Sequence, residues 1–244
     1  ERFRAVALLK GHDLPEDATV RLLEYLANPD RHQGMSDAAL YVFVNKLVAV
    51  FHGNSRLDDR YIEASRRVIG DERQKEVVRG YALQGLSRAL PNAAPAQATA
   101  IIEVFRDNLD RSGSSLPGTA LLALDRAYRE GGTPVDDVDS AQAELAAYLL
   151  ERLASAETGE RTRITATGIS ARIGLEGALP YLLEIAENRQ AKRTVPERIA
   201  ALSALKALRH PRAEELLREA ANSDQNLVAR AAAKTLKSSK NTLE

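Results

Sequence analysis

The stretch Val78-Arg79-Gly80-Tyr81-Ala82-Leu83-Gln84-Gly85-Leu86 decides the fold, because it recurs. Laid over Glu197-Arg198-Ile199-Ala200-Ala201-Leu202-Ser203-Ala204-Leu205, it puts a small residue at the fifth place and Leu at the ninth. Val228 to Leu236 (VARAAAKTL) keeps the same frame. Ala120 with Leu124, and Ala166 with Arg163, also fit, which gives anchoring alanines at 82, 120, 166, 201 and 232, spaced by 38, 46, 35 and 31 residues. Two helices and two turns need about that length, and an alanine at a fixed buried place lets neighbouring helices approach closely. The pattern predicts a solenoid of helical hairpins.

Working outward, apolar residues recur three and four apart through nearly every segment, and the period-2 alternation of a half-buried strand is almost missing. Ala98, Ile101, Ile102, Phe105 and Leu109 draw one stripe, and Ala143, Ala146, Ala147, Leu150 and Leu153 another. Pro15, Pro95, Pro117, Pro180, Pro196 and Pro211 stand at or just before such runs, where a fixed φ and a missing N–H cost least. Gly53, Gly70, Gly113, Gly131, Gly132 and Gly174 fall where runs stop and are expected to be left-handed C-terminal breakers. Helices are expected near 2–10, 16–28, 36–52, 57–69, 75–90, 95–110, 116–130, 139–155, 160–174, 178–187, 196–208, 212–222 and 225–237. The joints between them are short. Residues 1–244 therefore read as one repeat domain, with 1–10 a half-repeat or cap.

At 244 residues, with 44% hydrophobic and 28% charged, the chain can bury a core and shows no disordered composition. No stretch approaches the roughly 18 to 20 apolar residues of a membrane span. Cysteine is absent, which removes disulfides, thiolate metal sites and Cys nucleophiles and leaves the compartment open. Glu1 stands first, so a piece of a longer or processed chain is expected. Lys plus Arg number 34 and Asp plus Glu 34, which excludes a uniformly basic nucleic-acid binder. The neutrality hides blocks: residues 123–188 hold 12 acidic and 6 basic residues, and 189–244 hold 12 basic and 6 acidic.

The second helices resemble HEAT repeats, in the short bacterial form called PBS-lyase HEAT-like: Asp71 with Val78-Arg79, and Asp224 with Val228 and Arg230, approximate its turn aspartate, Val-Arg, Ala, Ala and Leu. The likeness is best over 71–90 and 160–237. It implies a right-handed, curved α-solenoid of about six hairpins, with second helices on the concave side. It also implies that Arg79, Arg163 and Arg198, which share one place in the frame, stack into a structural ladder paired with turn aspartates.

Chemistry is sparse. The HEAT-like hydroxylases carry iron on His-Glu pairs, but His12, His32, His52 and His210 precede Asp, Gln, Gly and Pro, so no metal or cofactor is expected. Ser112, Ser114 and Ser115 lie in a turn without a nucleophile elbow and read as a cap. No phosphate-cradling glycine motif occurs. Asp58-Asp59, Asp136-Asp137 and Glu214-Glu215 are adjacent pairs, and adjacent helical residues point about 100° apart, so they make no catalytic pair. The bilin lyases that lend the short repeats their name transfer no catalytic residue. No enzymatic activity is expected. The expectation is a monomeric scaffold that binds a protein or peptide along its concave face. The second reading is phosphate or nucleic-acid binding by the basic 189–244 segment, through Arg189, Lys192 and Arg193.

Overall fold

The structure, a computed structural model, describes residues 16–32, 34–36, 38–40, 42, 59–111, 113–130, 138–188, 192–223 and 225–240. Among these every regular element is helical: α1 (Glu16–Ala27), α2 (Asp59–Gly70), α3 (Glu76–Ala89), α4 (Pro95–Arg106), α5 (Leu116–Arg129), α6 (Val138–Ala154), α7 (Glu160–Ile173), α8 (Leu179–Glu187), α9 (Val195–Ala207), α10 (Ala213–Ala221) and α11 (Asn226–Lys240). Short 3-10 turns occupy Pro29–His32, Leu90–Asn92 and Glu176–Ala178. The expected helices at 2–10 and most of 36–52 lie outside the described residues, as do Gly53, Gly131 and Gly132. The protein belongs to the all-α, α-solenoid class. It divides into two compact units, Glu1–Ala141 and Gln142–Glu244.

In the first unit α2 pairs with α3 and α4 with α5. The second helices α3 and α5 lie side by side, and so do the first helices α1, α2 and α4 in turn. The core is built from the inward stripes, with Tyr61 and Ile69 of α2, Leu83 and Leu86 of α3, Ile101 and Phe105 of α4, and Leu121 and Leu124 of α5 all buried. Fully burying side chains of this size is worth about 1.5 to 3 kcal/mol each. In the second unit α8 pairs with α9 and α10 with α11, while the second helices α7, α9 and α11 stack in chain order. Leu182, Ile185, Leu202, Leu205, Leu216 and Leu217 fill its interior.

The five anchoring alanines decide the repeat frame, and each is at most 2% exposed. Every second helix is thus turned the same way, with its anchor against a neighbour.

Helix ends depart from expectation in three places. The run expected to 110 stops at Arg106, and 107–110 forms a turn. Gly70 is the last residue of α2, not a left-handed breaker, because Asp71 N–H still donates to Arg67 C=O in helical fashion at 2.9 Å. Gly174 does take φ +71, and Leu175 N–H closes onto Ser170 C=O at 2.9 Å in a Schellman motif. After α9 the same motif is built on Arg209, at φ +54, with His210 N–H donating to Leu205 C=O at 3.0 Å. No sequence rule places arginine there, since the left-handed conformation costs a non-glycine residue roughly 1 to 2 kcal/mol.

Candidate functional site

The arginines three places before the anchoring alanines share one geometry. Arg79 Nε donates to Ile69 C=O at 2.9 Å, Arg163 Nη2 to Ser155 C=O at 2.9 Å, and Arg198 Nε to Ala186 C=O at 3.4 Å. Each acceptor lies at the C-terminal end of the hairpin's first helix, where carbonyls lack intrahelical partners and the helix dipole favours a cation. The side chain therefore ties the two arms of a hairpin together.

Two rungs also reach the next repeat. Arg163 Nη1 donates to Glu197 Oε1, and Arg198 Nη1 to Gln225 Oε1 at 2.8 Å. The family resemblance implied aspartate partners in the turns. Asp71 instead grips Arg73, whose Nη2 lies 2.7 Å from Oδ2, and Asp224 lies outside the described residues.

Glu197, a departure from the usual Val, has a double task. Its Oε2 accepts the Thr194 N–H at 2.8 Å, and Thr194 Oγ1 accepts the Glu197 N–H at 3.4 Å, which closes a capping box. Its other oxygen takes Arg163. Burial acts to raise the pKa of Glu197, but the Thr194 amide, Arg163 and the Thr194 hydroxyl outweigh it and hold the carboxyl below its ordinary value.

Of the anion candidates, Arg193 is already engaged by its neighbours. Arg193 Nη2 is 3.0 Å from Glu184 Oε1, and its backbone is clasped by Asn188, whose Oδ1 accepts the Arg193 N–H at 2.8 Å and whose Nδ2 donates to Arg193 C=O at 3.2 Å. Lys192 is exposed. Arg189 lies outside the described residues. Among the remaining features, Ser114 Oγ accepts the Leu116 N–H at 3.1 Å at the start of α5, while Ser112 is outside the described residues. Asp59 stands in the first turn of α2. Glu214 pairs with Arg218 at 2.7 Å and Glu215 with Arg212 at 3.7 Å, each pairing with an arginine and not with the other. Asp58, Asp136 and Asp137 are outside the described residues.

His12 and His52 also lie outside the described residues, and His210 sits in the loop before α10. His32 is buried in the first unit. Its Nε2 donates to Tyr25 C=O at 3.0 Å, and Nδ1 lies 3.2 Å from Gln74 Oε1. Burial lowers its pKa, against smaller raising contributions from Gln74 and Tyr25. Among the described residues no three His, Asp or Glu side chains gather as a metal site would need, and no helix is long and apolar enough to cross a membrane.

What remains is the outward face of the second helices. Counting from the anchoring alanine, Ile164, Thr165 and Gly168 of α7 correspond to Ile199, Ala200 and Ser203 of α9, and all six are half-buried or exposed. Gly168 is exposed in mid-helix, and a Cβ added there would meet nothing within 4 Å. The sequence reading overlooked a second arginine column six places after the anchor, Arg88, Arg126 and Arg172, although the same frame contained it. Arg172 is exposed and Arg126 half-buried, and Arg126 Nε bonds Glu130 at 2.9 Å.

No family model matches the chain, and no curated protein matches it. Similar solved structures include an engineered protein (18% identity, 98% of this chain and 96% of that one, TM-score 0.42), human deoxyhypusine hydroxylase in complex with glycerol (17%, 97% and 95%, TM-score 0.36), and a designed armadillo repeat protein (17%, 89% and 98%, TM-score 0.42). At these scores the fold assignment rests on the pairing of helices within this chain.

Proposed function

We propose that the protein is a non-catalytic interaction scaffold of the HEAT-like class, in the short PBS-lyase HEAT-like form. It works as a monomer, without a cofactor, and holds a protein or peptide segment along the outward face of its second helices, the concave side in such arrays. One observation carries this reading: the outward face of α7 and α9 is a floor of small and aliphatic residues with Gly168 open at its centre. A mid-helix glycine costs roughly 1 kcal/mol against alanine. No neighbour among the described residues needs the space, so its use is close approach by another chain.

Binding of phosphate or nucleic acid at Arg189, Lys192 and Arg193 ranks second, because Arg193 is already engaged by Glu184. The chain has no cysteine, which makes a single introduced one a unique label. Peptides selected from a random display library should lose binding when Ser203→Cys carries a bulky maleimide, and keep it when the label sits on Glu219→Cys of α10. Loss at α10 alone, or at neither position, would overturn the proposal.

A further inference from the structure

The charges of the second unit separate by helix layer. Over the second helices, at 160–173, 195–207 and 226–237, there are eight Arg and Lys against two Glu. Over the first helices, at 142–154, 179–187 and 213–221, there are two Arg against seven Glu. The partners of these charges sharpen the division. On the first-helix side Glu184 is paired with Arg193, Glu187 with Arg212 at 2.7 Å, and Glu214 with Arg218 of its own helix, so arginines of the loops and of α10 itself neutralise part of that layer. On the second helices both glutamates stand at or near helix N-termini, and Glu197 is buried against Arg163. Arg161, Arg230, Lys234 and Lys237 are exposed and make no ion pair among the described residues.

From this juxtaposition we propose that the second-helix layer of the second unit, α7, α9 and α11, docks an extended acidic peptide segment of a partner protein. The inference rests on the scaffold reading above and adds the chemistry of the occupant. A field of unpaired cations over a low floor attracts carboxylates and leaves room for a main chain. Lys206, whose Nζ donates to Thr235 C=O across α9 and α11, adds a cation between the stacked helices. Packed helix axes lie about 8 to 10 Å apart, and an extended chain advances about 3.3 Å per residue, so one carboxylate every three residues keeps step with the stack. Nucleic acid fits less well, because single strands are held by stacking on aromatic side chains and α7, α9 and α11 contain no aromatic residue.

The test is fluorescence anisotropy with the whole chain and three labelled probes: a peptide of repeated Glu-Gly-Ser triplets, its Lys-Gly-Ser counterpart, and an oligodeoxythymidylate of matched length. The expected result is binding of the Glu peptide in preference to both others, weakening as salt rises. Replacing Arg230 and Lys234 together by Gln, both exposed and outside the core, should weaken it about tenfold. Circular dichroism of that variant should match the parent. Preference for the oligonucleotide, preference for the Lys peptide, or no binding of the Glu peptide overturns the acidic-segment proposal. If the library-selected peptides still compete at position 203 while proving neutral or basic, the scaffold reading stands and this inference alone fails.

Discussion

Arg79 in the first unit and Arg163 in the second occupy the same place in their repeats, three residues before a buried alanine, yet they face different acceptors. Arg79 Nε donates to the neutral Ile69 carbonyl, whereas Arg163 adds an ionised, buried carboxylate from the next repeat. The contrast extends to the surface. In the first unit the second helices α3 and α5 carry four basic and two acidic residues, and the first helices α1, α2 and α4 carry five and six. Among the described helices the second unit sorts its charges by layer far more sharply. One repeat frame has thus been used in the first unit mainly for packing and in the second for packing, inter-repeat ion pairing and a cationic face.

The largest effect should come from cutting the rungs. Arg163→Met leaves Glu197 charged and buried without its cationic partner, and such breakage costs about 3 to 5 kcal/mol. Arg79→Met loses one charge-assisted bond and uncovers one carbonyl, a cost of about 1.5 to 3 kcal/mol. Urea unfolding of the two variants measures both, and equal losses would erase the distinction between the units.

Acid should separate the units next. His32 has a folded pKa below its ordinary 6.5, so its stabilising contribution to the first unit is fully present above that pH and is lost as pH falls toward the folded value. Glu197 is held below its ordinary 4.5, so its contribution to the second unit persists to lower pH and disappears only as pH falls through the folded value. Hydrogen exchange at pH 5 to 6 should therefore show loss of protection in α1 and α3 before α7 and α9, and His32→Gln should abolish the difference.

Smaller changes act at single backbone positions. Gly174→Ala should destabilise by about 1 kcal/mol and Arg209→Gly stabilise by about as much, since both replace a residue in the left-handed region. Gly168→Ala should raise stability by about 0.5 to 1 kcal/mol while weakening ligand binding, because the added methyl occupies only the open face. Thermal melts with and without the Glu-Gly-Ser peptide check all three.

The frame of alanines 82, 120, 166, 201 and 232 was legible because close helix packing leaves room for little else, and it carried most helix bounds to within a residue or two. The ladder arginines could be named from the same register. Their acceptors could not, because an end-of-helix carbonyl has no side-chain signature. Glu197 stands where Val78 and Val228 stand in the frame. The Thr194-Val195-Pro196-Glu197 spacing of a capping box was present, but nothing local told that its other oxygen would meet an arginine 34 residues earlier. His32 met Gln74 across 42 residues, a separation no local pattern encodes. The blocks at 123–188 and 189–244 divide the charge along the chain. In the second unit the sharper division lies between first and second helices, and it becomes visible only after each helix is given its place in a hairpin.

The most direct measurement of that division is a hydrogen-exchange footprint of the whole chain with the Glu-Gly-Ser peptide bound. Added protection confined to α7, α9 and α11 is the expected result. Protection on α6, α8 and α10, or in the first unit, would contradict it.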